Sequence, residues 1–217
     1  MGDPETSPSL SRRAVDAARL GIFGGSFDPP HAGHLYLAAE ARASFELDHV
    51  LFVPAARPPH KLERRLASGK DRCAMLEILL DGRSEFSIWN GELARSGPSY
   101  ALDTVHELMR ARTGKGGELF LLIGADNLEG FARWHGVEEL VCLTQPVVCV
   151  RSGSCFEPES LALLSDSARA KLRAGRLEVT PFEASSSKLR RALRAGRDPG
   201  PGLPSKLLEY LRSRDIY

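Results

Sequence analysis

Five short apolar runs alternate with helical periodicities along these 217 residues, and the first run leads through a Gly-Gly turn into a helix. Together these features predict an α/β fold: a Rossmann-like, doubly wound parallel sheet with helices at the carboxyl end. The strand candidates are 20–23, 50–53, 119–123, 147–150 and 177–179, each rich in branched or aromatic residues and bounded by Gly, Pro or charge. Helical spacing occupies 33–46, 70–81, 99–112 and about 158–173, and Leu189, Leu193, Leu207, Leu208 and Leu211 mark two more helices. An apolar content of 42% over this length supports one core of ordinary size, so residues 19–217 are expected to form a single domain. Residues 1–18 carry no clear period and are expected to be a flexible extension.

Charge and cysteine usage narrow the function. Lys and Arg total 29 against 28 acidic side chains, and the net charge of +1 gives no global attraction to nucleic acid or an anionic membrane. No apolar stretch approaches the roughly 20 residues needed to span a bilayer. Residues 1–18 lack the apolar core of a signal peptide, which points to the cytoplasm. Cys73, Cys142, Cys149 and Cys155 show no metal-ligand spacing and are expected as reduced thiols, with no protein metal site.

The most informative segment is Gly21-Ile22-Phe23-Gly24-Gly25-Ser26-Phe27-Asp28-Pro29-Pro30-His31-Ala32-Gly33-His34. A buried strand enters a glycine turn, where the backbone can approach a ligand without a Cβ, and a helix follows. Unpaired amides at a helix start attract anions, and His31 and His34, three residues apart, add side-chain donors on the same turn. A nucleoside triphosphate fits that chemistry. The lesser alternative for the two histidines is that they merely cap and pack a helix. The full run, His-x-Gly-His after Gly-Gly-Ser-Phe-Asp-Pro, resembles the signature of the nucleotidylyltransferase superfamily, and in this fuller form the bacterial nicotinate-mononucleotide adenylyltransferases.

The later motifs stand where ligands bind in such sheets, beyond the carboxyl ends of the strands. Pro58-Pro59-His60-Lys61 follows the second strand and read alone is a solvated basic turn; Pro-Pro-His-Lys there resembles the adenylyltransferase family and makes Lys61 the candidate for the mononucleotide phosphate. Ser99 and Tyr100 open the 99–112 helix, with Ser99 a plausible cap. The resemblance assigns Ser99, Tyr100 and Ala101 to the pyridine pocket, where helix-start amides meet the nicotinate carboxylate. Ala101 departs from the threonine common in the family, which a backbone contact survives and a hydroxyl contact does not.

Gly124 and Asp126 follow the third of these strands, where a carboxylate can accept from a ribose diol or cap a helix. Trp134, read alone, is more often core than ligand; Phe131-Ala132-Arg133-Trp134-His135 resembles the family's Phe-x-x-Trp-His, which places the indole on the pyridine nucleotide. Arg151 matches an arginine often found at its strand end and is carried as a mononucleotide contact. Ser185, Ser187, Lys188 and Arg190 open a further helix and can neutralise phosphate or simply cap a surface helix. Ala184-Ser185-x-Ser187-x-x-Arg190 resembles the family's Ile-Ser-x-Thr-x-x-Arg.

The resemblance runs from about residue 19 to the end. It implies AMP transfer from ATP to nicotinate mononucleotide, giving deamido-NAD and pyrophosphate, with His31, His34 and Arg190 catalytic. ATP contacts are expected from Gly24, Gly25, Ser26, Phe27, His34, Gly124, Asp126, Ser185, Ser187, Lys188 and Arg190. The mononucleotide is expected at Asp28, Lys61, Ser99, Tyr100, Ala101, Trp134 and Arg151. Mg²⁺ is expected to enter with ATP. The alternatives are transfer to nicotinamide mononucleotide or another acceptor, and a nucleotide-binding regulator without turnover; monomer and homodimer both stay open.

Overall fold

The computed structural model describes residues 10–57, 66–124, 127–151, 161–182 and 184–217. In chain order the elements are α1 (Arg12–Asp16), β1 (Arg19–Gly25), α2 (Ala32–Ser44), β2 (His49–Pro54), α3 (Gly69–Leu79), β3 (Phe86–Ile88), α4 (Gly91–Ala94), α5 (Ala101–Ala111), β4 (Glu118–Gly124), α6 (Leu128–Phe131), α7 (Val137–Leu143), β5 (Gln145–Arg151), α8 (Asp166–Ala174), β6 (Arg176–Val179), α9 (Ser186–Arg194) and α10 (Ser205–Ser213). The strands form one sheet in the order β3-β2-β1-β4-β5-β6, and every neighbouring pair is parallel. The winding reverses between β1 and β4, so the loops leaving their carboxyl ends diverge and open a crevice there.

Side chains alternate between two apolar layers, as the pleat requires. Ile22, Leu51, Val53, Leu121, Ile123 and Val148 face a cluster that includes Val105, Leu108, Leu140 and Leu172 from helices. Phe23, Val50, Phe52, Leu122, Val147 and Cys149 face the opposite cluster with Ala38, Ala41 and Leu76. β2 is buried along all six residues, which explains why it reads as an unbroken apolar run rather than an alternating one. A third cluster joins Met75 of α3 to Leu189 of α9 and to Leu207 and Leu211 of α10. Each fully buried leucine contributes about 1.5–3 kcal/mol, enough to dock the short terminal helix on α3.

Four sequence expectations are corrected. The flexible extension does not reach residue 18: Ser11 caps α1, and Ala14 and Ala17 are buried in the first apolar layer. The helices at 33–46 and 70–81 form at 32–44 and 69–79, but β3 was not anticipated, since three residues are too few to show a period. α5 begins at Ala101 with Tyr100 as N-cap residue, because the Ser99 hydroxyl is used elsewhere. The helix expected from about 158 starts at Asp166, where the Ser165 hydroxyl accepts from the Ala168 amide at 3.2 Å; residues 152–160, with Cys155, lie outside the described residues. Cys73, Cys142 and Cys149 are free thiols, as anticipated.

Candidate active site

A cavity of about 690 Å³ opens at the crevice between β1 and β4, within the usual range for sites that enclose small ligands. Its lining includes Gly24, Gly25, Ser26, Asp28, His31, His34, Ser99, Tyr100, Ala101, Gly124, Trp134, Ser185, Ser187 and Arg190. Segments far apart in the chain therefore converge on one space. A Cβ at Gly24 or Gly124 would meet nothing within 4 Å, so both backbones lie open to a ligand. Gly25 is glycine for another reason, since a Cβ there would sit 2.9 Å from the Phe27 ring.

Phe27, expected as an ATP contact, also lines the cavity. It adopts φ 47° and turns its ring inward, 1% exposed, edge-on to Phe23 at 5.6 Å and to His34 at 5.1 Å. Its ring braces His34 from the protein side.

The two imidazoles stack with centroids 3.8 Å apart. The His31 N–H donates to Nδ1 of His34 at 3.1 Å, which leaves the His34 proton on Nε2. Nδ1 of His31 is buried with no hydrogen-bond partner among the described residues. Burial lowers the His31 pKa to about 4, so at neutral pH the ring is an uncharged donor and acceptor. An orphaned buried nitrogen costs about 1–3 kcal/mol, which the fold tolerates here beside the cavity.

Arg190 reaches the same cavity from α9, and it is only 8% exposed. Its Nη1 donates to the Asp28 carbonyl at 2.5 Å and lies 3.7 Å from Oδ2 of Asp28; its Nη2 donates to the Ser187 hydroxyl at 3.0 Å. Asp28, expected as a mononucleotide contact, lines the cavity beside it. Its carboxylate is 1% exposed, and Oδ1 accepts from the Ala67 amide at 3.0 Å and the Tyr217 hydroxyl at 2.6 Å. The side chain expected on the mononucleotide is held within the protein, where it braces Arg190.

At the cavity's other end, Tyr100 and His135 rings lie 4.5 Å apart, and Trp134, half-buried, packs edge-on to Phe131 at 5.1 Å. The Ser99 hydroxyl accepts from the amides of Ala56 at 2.9 Å and Arg57 at 3.2 Å, so it fastens the loop after β2 rather than capping α5. The first amides of α5 lack intrahelical acceptors, and Tyr100 and Ala101 at its start line this cavity. Lys188 is exposed and outside the cavity lining, while Ser185 caps α9 through the Lys188 amide at 3.3 Å. Lys61 and Asp126 lie outside the described residues, and Arg151 is described only as the last residue of β5.

Three residues of the site escaped the sequence reading. Arg72, 2% exposed, donates to the carbonyls of Ser26, Ala55 and Ala67 and ties together the loops at the crevice; burial lowers its pKa. Glu92 lines the cavity yet is 6% exposed; burial raises its pKa, and Thr104 donates to Oε1 at 2.6 Å. Tyr217 is the third. Glu92 opens the segment that the resemblance assigns to the pyridine pocket but was given no role of its own; Arg72 and Tyr217 lie in no motif, and an arginine in the apolar pattern of α3 was the one available signal for Arg72.

The fold and this cleft define an α/β nucleotide-binding protein, and the family described as Cytidylyltransferase-like matches residues 22–192. A protein of Geobacillus kaustophilus named a probable nicotinate-nucleotide adenylyltransferase is 33% identical over 92% of this chain and 86% of its own length. One of Corynebacterium kroppenstedtii with the same name is 35% identical over 92% of this chain and 90% of its own length. The solved nicotinic acid mononucleotide adenylyltransferase of Plasmodium falciparum, complexed with NaAD, shares the fold with a TM-score of 0.69 at 17% identity, covering 92% and 97% of the two chains. The chain belongs to the cytidylyltransferase-like family and, within it, to the nicotinate-nucleotide adenylyltransferases.

Proposed function

We propose that this protein transfers AMP from ATP to the phosphate of nicotinate mononucleotide, releasing pyrophosphate and nicotinate adenine dinucleotide. The observation that carries the reading is the stacked His31–His34 pair and Arg190 lining one cavity whose far end is walled by Tyr100, Trp134 and the start of α5. The relatives' names agree with it.

The chemistry needs no protein base. A phosphate monoester has a second pKa near 6 and is mostly dianionic at neutral pH, so it attacks the α-phosphorus directly. In-line displacement then depends on alignment and on donors around the α-phosphate and departing pyrophosphate. His34, with its Nε2 proton, donates to a phosphate oxygen, and His31 completes the pair from its buried place. Arg190 offers a guanidinium held by Asp28 and Ser187 against the transferring charge. The backbones at Gly24 and Gly124 allow close approach of ATP, and Asp126 is the proposed ribose contact. Trp134 stacks on the pyridine ring, amides at the start of α5 meet its carboxylate, and Lys61 and Arg151 meet the mononucleotide phosphate.

Mg²⁺ is proposed to arrive on ATP, coordinated by phosphate and water. When bound it would neutralise phosphate charge. No described helix is long and apolar enough to cross a membrane.

The test is pyrophosphate release with ATP and, separately, nicotinate mononucleotide, nicotinamide mononucleotide and phosphopantetheine. Release with the nicotinate compound well above the others is expected. Preference for the amide would move the assignment to that acceptor, and no release with any would leave a regulator.

A further inference from the structure

We infer that Tyr217 is a positioning residue for ATP, acting through Asp28 on Arg190. This rests on the adenylyl-transfer reading of the cavity. α10 packs back on α3, with Leu207 and Leu211 buried against Met75. Polar contacts fix the docking: the Tyr210 hydroxyl donates to Asp71 at 3.0 Å, Arg214 lies 3.4 Å from the same oxygen, and Lys206 pairs with Asp81 at 3.1 Å. The chain beyond α10 then carries Tyr217 to the floor of the phosphate site. Its hydroxyl donates to Oδ1 of Asp28 at 2.6 Å, beside the Ala67 amide at 3.0 Å.

Asp28 links Tyr217 to Arg190. Its carboxylate is almost wholly buried, its Oδ2 lies 3.7 Å from Arg190, and its carbonyl accepts from the same guanidinium. With Tyr217 and Ala67 both donating to Oδ1, the carboxylate meets Arg190 through Oδ2 only at 3.7 Å, beyond hydrogen-bond distance, while Arg190 lines the cavity. With the Tyr217 donor removed, the carboxylate is drawn onto Arg190, and two buried opposite charges pair more tightly. The guanidinium then loses reach toward phosphate. The cavity lining includes Asp28 and Arg190 but not Tyr217, so its hydroxyl acts through Asp28.

The experiment compares wild type, Tyr217→Phe, Tyr217→Leu, Arg190→Lys and the Tyr217→Phe/Arg190→Lys double variant. ATP affinity is measured by calorimetry, turnover by pyrophosphate release, and folding by Tm. Tyr217→Phe keeps the ring and its packing, so Tm should change little while ATP binds about tenfold more weakly and kcat falls by about the same factor, with KM for the mononucleotide within about twofold. In the Arg190→Lys background the same change should alter ATP affinity less than about twofold, the non-additivity expected of residues that act in series. Recovery of wild-type ATP affinity and kcat by Tyr217→Phe, with only Tyr217→Leu impaired, would reduce Tyr217 to packing and overturn the inference. An unchanged Tyr217→Phe effect in the Arg190→Lys background would overturn it too. A wild type that binds ATP without turnover would instead count against the adenylyl-transfer reading, and the affinity comparison would still decide the role of Tyr217.

Discussion

Gly33→Ala should cost activity without costing stability. A Cβ at residue 33 would lie 3.0 Å from both Cε1 and Nδ1 of His31 and 3.1 Å from Phe182, where ordinary contact begins near 3.4 Å. The His31 ring must therefore retreat by about 0.4 Å, the shortfall between those two distances. It is stacked on His34 at 3.8 Å and 7% exposed, so the movement goes into the phosphate site or twists the pair. A misplacement of about 1 Å in a reacting constellation costs roughly a hundredfold in rate, so about 0.4 Å should cost on the order of tenfold in kcat. The helix itself gains from the change, because alanine is about 0.5–1 kcal/mol better than glycine within a helix. That gain offsets the crowding, and Tm should stay within about 3 °C of wild type for a chain of this size. Steady-state pyrophosphate release and thermal unfolding on the same preparation check both halves. Wild-type kcat in this variant would show that the His31 position does not govern the chemistry.

Further outcomes follow from buried groups. Burial lowers the His49 pKa to about 4, as it does for His31, so between pH 6.5 and 4 the unfolded chain binds protons that the folded chain refuses. Stability should fall as pH drops through that window, by up to about 3 kcal/mol for each such histidine, and His49→Gln should reduce the slope seen by urea unfolding from pH 7 to 4.5; an unchanged slope would contradict the burial argument. Because His31 stays neutral down to about pH 4, the acid limb of kcat/KM for the mononucleotide should follow the substrate phosphate near pH 6, and it should stay there in a His31→Gln variant. Trp134→Ala should raise KM for nicotinate mononucleotide about tenfold and leave KM for ATP nearly unchanged, since it removes a stacking face at one end of the cavity only.

The sequence reading succeeded where structure is written in local pattern. β1, β2, β4 and β5 are runs of branched and aromatic residues buried in two layers, and such runs are legible without partners. The Gly24-Gly25 turn and the His31–His34 spacing were legible because a strand, a turn and a helix start lie within fourteen residues. β3 was not, as Phe86-Ser87-Ile88 pairs with β2 through backbone hydrogen bonds that no side-chain period announces. α1 is held by Ala14 and Ala17 in a tertiary layer, which two alanines among charges do not reveal. The inward packing of Phe27 and Asp28, and the use of Ser99 away from the α5 cap, were not legible for one reason. Each sits in a motif, but its side chain turns inward to support a neighbour, and that direction is set by contacts with residues remote in sequence, such as Ala56 for Ser99 and Tyr217 for Asp28. Arg72 and Glu92 are buried ionisable residues whose partners are likewise tertiary.

The central claim is that the mononucleotide phosphate attacks ATP directly, aligned by two imidazoles and Arg190 with no enzyme-bound adenylyl group. The stereochemical course of transfer from a single diastereomer of ATP bearing sulfur on the α-phosphorus tests it most directly, with nicotinate mononucleotide as acceptor. Inversion at phosphorus in the dinucleotide product is the predicted result. Retention would require two displacements through a covalent enzyme intermediate and would contradict the account.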